Sequence, residues 1–202
     1  MLRRERQQHG FKFEDWLKRT FLDIHYTSEW DIPQELNPNR EGGPISIKTA
    51  KWKGSVYFGD ALRQFRINTD FTLIIGFWEA VGTKKRIVKI VEQYVPLREW
   101  HRLWNPFSED DLIKLDSLIK DRKLSPDKAR KRIKDELLKL KEANHWGIIT
   151  LNPKIDLKTQ RRLQCSLSFS NFFKELLHVD PAPVSKDKKI FLWGKELKPP
   201  DF

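Results

Sequence analysis

A mixed α/β domain of the α+β kind is the architecture this chain predicts, from three observations. Segments with apolar residues at helical spacing are interspersed with alternating or continuous apolar runs of strand length. The 202 residues suit one domain with a core of its own. An apolar fraction of 39% with 13 Phe and 8 Trp fits a folded globule, while 33% charged residues and a mean hydropathy of -0.64 argue against membrane residence. The whole of 1–202 reads as a single unit: a core over about 11–95, a helical insertion over about 98–146, and strands with a helix over about 147–202.

Taken in order, residues 11–22 place Phe13, Trp16, Leu17 and Phe21 on one stripe, which predicts a helix. Glu14 and Asp15 fall in its first turn, where negative charge complements the helix dipole. Residues 23–35 read as two short extended pieces around Ser28, with Pro33 placing the second at an edge or ending it. Turn chemistry fills 37–43, so a hairpin-like return leads into an alternating strand over 44–50. There Ile45 and Ile47 face one side and Ser46 and Lys48 the other. If these extended pieces are neighbours, Asp31 and Lys48 meet at one end of a sheet.

Val56, Phe58, Leu62 and Phe65 fall at mixed spacing, and a helix is expected from about Phe58 to Ile67. The run FTLIIGFWE reads as a strand buried on both faces, and GTKK turns it into a second strand, RIVKIVEQYV. Residues 98–104 predict a short helix. Ser108 caps the next, with Asp111 completing a capping-box variant and Leu112, Leu115, Leu118 and Ile119 as its stripe. Ser125 and Pro126 open a third helix with Ala129, Ile133, Leu137 and Leu140 on one face, which completes a helical hairpin. GIITLNP and RRLQCSLSF return to strand patterns, a short helix follows near 171–177, and the proline-rich tail predicts loop with one peripheral strand.

Composition also excludes. The single Cys165 rules out an intramolecular disulfide and zinc sites built on several cysteines, and the five His show no pair at metal-ligand spacing. There is no Walker A loop, no GxGxxG and no nucleophile elbow, so no nucleotide cofactor is expected. No apolar run approaches a bilayer span and the first ten residues carry no hydrophobic stretch, so no signal peptide, anchor or membrane partner is expected and the location should be cytoplasmic. A net charge of +11 suits a polyanionic partner, since each Lys or Arg that neutralises a phosphate releases a counterion; a merely Lys-rich surface is the plainer account. Candidate nucleic-acid contacts are Lys51, Lys53, Arg63, Arg130, Lys131 and Arg132. The last three lie on the basic face of the third helix, which reads equally well as solvated. Most Trp residues fit core positions, but Trp52, between Lys51 and Lys53, is a candidate for base stacking.

The order helix, strand, strand, strand, helix, strand, with Asp31 opening the second strand and Ser46-Ile47-Lys48 in the third, resembles the PD-(D/E)xK nuclease superfamily, particularly type II restriction endonucleases. The resemblance covers roughly residues 11–79. It implies a restriction-endonuclease-like αβββαβ core with a mixed sheet flanked by helices. It also implies a Mg2+-dependent deoxyribonuclease, Mn2+ substituting, that cuts double-stranded DNA as a homodimer and leaves a 5'-phosphate. Asp31 and the Ile47 carbonyl would bind the metal, Lys48 would orient the attacking water, and Glu14 would assist. Two departures stand out: Trp30 rather than Pro precedes the Asp, and Ser46 occupies the place of an acidic residue. Some family members have this S-x-K form with the carboxylate moved to the following helix, where Asp60 is available and Gln64 lies one turn on. Asp60 and Glu14 are rivals for the second carboxylate. A non-catalytic nucleic-acid binding protein and a junction or repair nuclease of the same fold are the other readings.

Overall fold

The computed structural model describes residues 12–20, 30–143, 147–155, 161–184 and 190–198. The first helix, α1, covers 12–20 and buries Phe13 and Leu17. Residues 11, 21 and 22 of the expected helix, like the extended piece before Ser28, lie outside the described residues.

Strand β1, Ile45–Lys51, alternates as read: Ile45 and Ile47 join Phe13, Leu17, Ile32 and Ile74 in a smaller core, leaving Ser46 and Lys48 on the other face. β1 runs parallel to β3, Phe71–Val81, with Ile45 opposite Thr72 and Lys51 opposite Trp78. Parallel neighbours need a crossover. It is built from β2, Val56–Asp60, and the short helix α2, Ala61–Phe65. The first seven residues of β3 are buried, and Gly82, at φ 61°, turns the chain into the antiparallel β4, Lys84–Val95. The resulting sheet is mixed, with strand order β1-β3-β4.

Two expectations are corrected here. The helix expected from Phe58 to Ile67 is a strand up to Asp60 and a helix only over Ala61–Phe65. Val56 and Phe58 point inward and Tyr57 outward, a period of two. What makes that period count is pairing with β6, Arg161–Leu167, more than a hundred residues on. A bulge between Tyr57 and Gly59, with Gly59 at φ 98°, then swings the chain into α2. The second expectation concerns the strand carrying Asp31. Among the described residues it shrinks to one antiparallel bridge: Ile32 N–H donates to Ile45 O at 3.1 Å and Ile45 N–H to Ile32 O at 2.8 Å. Pro33, with no N–H, ends the pairing.

β2, β6 and β5, Thr150–Ile155, form a second, antiparallel sheet in the order β2-β6-β5. The larger core lies between the sheets and the helices, joining Phe71, Leu73, Ile75 and Phe77 of β3 to Leu163, Cys165 and Leu167 of β6. α3, Leu97–Trp104, adds Trp100 and Trp104 to it. α4, Glu109–Lys120, and α5, Pro126–Glu142, form the expected hairpin. The Ser108–Asp111 capping box is present, Ser125 caps α5, and Leu112, Leu115, Ile119, Ala129 and Ile133 are buried. After β6 a helical turn, α6, Phe169–Asn171, runs on into a π-helical stretch, Phe172–Leu176.

The tail differs from its expectation of one strand. β7, Ile190–Leu192, and β8, Lys195–Leu197, make a hairpin whose Ile190 and Leu192 complete the smaller core. Its two-residue turn, Trp193–Gly194, has φ of 49° and 71°, the positive pair that tight hairpin turns require.

Candidate functional site

Asp31 sits just before the Ile32 bridge, and Lys48 stands on the β1 face turned away from α1. One carboxylate oxygen, Asp31 Oδ2, accepts the Ile47 backbone N–H at 2.6 Å and Lys48 Nζ at 3.0 Å. Lys48 Nζ also donates to Ser46 Oγ at 2.7 Å and to Ile47 O at 2.8 Å. All three ammonium protons are therefore engaged. Serine at 46 thus supplies a neutral acceptor where a second carboxylate would otherwise crowd Asp31. The pair is partly shielded, with side-chain exposures of 18% for Lys48 and 27% for Asp31. Asp31 Oδ1 has no hydrogen-bond partner among the described residues.

Asp60 arrives from the end of β2. It caps α2 by accepting the Arg63 N–H at 3.0 Å, as the capping alternative requires. That geometry leaves its second oxygen uncommitted. Asp31, Ser46, Lys48, Asp60, Gln64 and Lys120 line one cleft of about 430 Å³. Cys165 lies buried nearby, under the influence of Asp60, Arg63 and Lys48; burial pushes its thiol up, so it is an uncharged packing group. A larger groove of about 650 Å³ adjoins the cleft, sharing Arg66, Ile67 and Asn68 with it, and is walled by Phe65, Trp104 and Phe107. Asp31, Asp60 and Lys48 of the expected motif belong to the smaller cleft.

Glu14 is not brought to this cleft. Its carboxylate takes Lys18 Nζ at 2.6 Å one turn along α1, and α1 packs against the Ile45–Ile47 face of the sheet. Among the basic candidates, Arg63 is in the cleft, while Lys51 and Lys53 are exposed at the β1–β2 turn. Arg130 is committed to the fold: it donates to Ile155 O at 2.8 Å and to Asp127 at 2.7 Å, tying α5 to β5. Lys131 and Arg132 are exposed on the same helix. Trp52 is half-buried, with Lys89 Nζ 5.9 Å from its ring centroid. Its ring packs edge-on to Phe77, Phe169 and Phe173 at 4.9–6.1 Å, inside an aromatic cluster that forms only when β1, β3 and α6 converge.

The residue that sequence reasoning missed is Lys120. It is the last residue of α4, 72 positions after Lys48, and nothing local marks it as facing the cleft.

The donors in the cleft suit a hard divalent cation of the Mg2+ type, which takes oxygen ligands and commonly binds through one or two carboxylates. Asp31 and Asp60 each offer an uncommitted oxygen, and the Gln64 side chain lines the same space. The Ile47 carbonyl already accepts from Lys48 and keeps one lone pair. Among the described residues there is no cluster of three or more His, Cys, Asp or Glu, so any such ion would lean on substrate and water for the rest of its shell. Comparison of the chain with protein-family models, with curated proteins and with solved structures finds no match in any of the three. Among the described residues no helix is long and apolar enough to cross a membrane.

Proposed function

We propose that this protein is a Mg2+-dependent endonuclease that hydrolyses phosphodiester bonds in double-stranded DNA, of the type II restriction endonuclease kind. The observation that carries the reading is the convergence of Asp31, Lys48 and Asp60, from three separate segments, on one cleft. The parallel β1–β3 pair and its β2–α2 crossover support the reading: β1 carries Lys48, and Asp60 stands where β2 passes into α2.

Asp31, Asp60 and the Ile47 carbonyl would hold the cation, which when bound supplies Lewis-acid stabilisation of charge on the phosphoryl oxygens. Lys48 orients the water whose oxygen attacks phosphorus while the bond from phosphorus to the 3'-oxygen breaks, giving a 5'-phosphate and a 3'-hydroxyl. To do so it exchanges one of its three internal acceptors for that water. Ser46 Oγ and Ile47 O hold the amine in place through the exchange. A homodimer acting on a two-fold site belongs to the same proposal.

One observation favours a non-catalytic nucleic-acid binding protein instead: the complete satisfaction of Lys48 is also what a purely structural ion pair looks like. Incubation with long duplex DNA and Mg2+, with and without EDTA, separates the readings. Discrete fragments that vanish with EDTA are expected. Cutting confined to branched or damaged DNA would move the target to a junction or repair intermediate, and retention without cleavage would establish the binding protein.

A further inference from the structure

Lys120 reaches the cleft from α4, and its partner is unusual. Asp116, one turn earlier, is 6% exposed and sits among the buried Leu112, Leu115 and Ile119, yet it is a carboxylate. One of its oxygens meets Lys120 Nζ at 2.5 Å; the other is buried with no hydrogen-bond partner among the described residues. Burying a half-satisfied carboxylate is unfavourable, and a surface pair one helical turn apart returns little. The arrangement makes sense if the position of the ammonium matters. Asp116 fixes Lys120 beside Asp60 and holds its ammonium above the ordinary lysine range, with Asp60 adding to the effect, so it stays charged. Lys120 has two further N–H groups with no partner among the described residues. The Arg63 guanidinium, on the same cleft, has no ion-pair partner among them either.

We propose that Lys120, positioned by Asp116, and Arg63 form a phosphate-binding subsite on the α2–α4 wall of the cleft, which seats a backbone phosphate of the bound strand other than the one facing Lys48. The inference rests on the nuclease reading and adds to it a second point of contact with the phosphodiester chain. Two fixed contacts on one strand set the direction in which that strand crosses the cleft. Lys120 and Arg63 are binding residues in this scheme, and Asp116 is a positioning residue.

The test is the salt dependence of binding to a short duplex in EDTA, where no cleavage occurs, for Lys120→Ala, Lys120→Arg, Asp116→Asn and Lys114→Ala. Lys114 lies on the same helix but pairs with Glu136, so it controls for loss of one charge outside the cleft. Lys120→Ala should weaken binding about five- to tenfold and make the slope of log K against log salt shallower by about one. Lys120→Arg should restore the slope, and Asp116→Asn should shift it part of the way. Melting curves of each variant confirm that it is folded. With Mg2+ present, Lys120→Ala should raise KM more than it lowers kcat, the reverse of Lys48→Ala. Normal DNA binding with the Lys120→Ala slope equal to that of Lys114→Ala would overturn the subsite and leave the nuclease reading standing. Failure of the unaltered protein to bind duplex DNA at all would overturn both.

Discussion

Asp31 Oδ2 and Lys48 Nζ lie 3.0 Å apart, and the same oxygen takes the backbone N–H of Ile47 at 2.6 Å. The carboxylate is therefore held by the strand itself as well as by the lysine. Losing the ammonium leaves Asp31 in place, which makes the lysine separable from the fold.

Lys48→Ala should accordingly lower Mg2+-dependent cleavage by at least about a hundredfold, the scale of a lost proton-handling or water-orienting group. Stability should fall by only about 1 kcal/mol, as for a partly exposed pair. DNA binding in EDTA should change little, because one lysine is a small share of a +11 surface. Cleavage rate and melting temperature, measured side by side, check this; undiminished cutting would remove Lys48 from the mechanism.

Asp60 has two jobs that substitution separates. Asn caps helices about as well as Asp, so Asp60→Asn should keep the melting temperature, whereas Asp60→Ala should cost about 1 kcal/mol. Both should require far more Mg2+ for cleavage. If Asp60→Asn cuts normally across a Mg2+ titration, Asp60 is only a cap. Glu14→Gln, whose parent residue is outside the cleft, should leave the Mg2+ dependence unchanged.

Gly76 on β3 is a packing requirement of α1. A Cβ at this position would stand 2.6 Å from Cζ of Phe13, a ring that is fully buried. Gly76→Ala should destabilise by about 1–3 kcal/mol, the usual scale for overpacking a core. The denaturation midpoint measures it, and an unchanged midpoint would mean that α1 docks loosely.

On α5 the three basic candidates should part company. Arg130→Ala breaks the link to Ile155 O and should cost about 1 kcal/mol of stability. Joint neutralisation of Lys131 and Arg132 should leave stability alone and make the salt slope of DNA binding shallower by about two. An unchanged slope would make this face solvated surface.

Acid should loosen the helical hairpin. Hydrogen bonds from Lys114 and then Lys139 hold the Glu136 carboxyl below the ordinary glutamate value of 4.5. A carboxyl depressed in the folded state adds stability above its unfolded value and loses it as pH falls through the folded one. The melting-temperature gap between the unaltered protein and Glu136→Gln should thus be full above the ordinary glutamate value of 4.5 and should close as pH falls below it. A gap independent of pH would contradict it.

By itself, the sequence determined whatever depends on neighbours within a few residues. The Ser108 and Ser125 caps, the stripes of α4 and α5, the turn from β3 to β4 and the alternation that separates Lys48 from Ile47 are all written in local spacing, because capping and side-chain periodicity act over one turn or one pleat. Only the tertiary structure decided the rest. Val56–Asp60 has enough apolar residues for a helix and becomes a strand because β6 is there to pair with it. Trp52 lies between lysines yet is taken up by Phe169 and Phe173. Glu14 has the right neighbours in sequence, but its helix covers the Ile45–Ile47 face of the sheet. Lys120 carries no local mark and joins the cleft because α4 packs beside α2 and β6. Each outcome turns on contacts between segments far apart in the chain, and the free energy of such contacts comes from burial and pairing that local spacing does not encode.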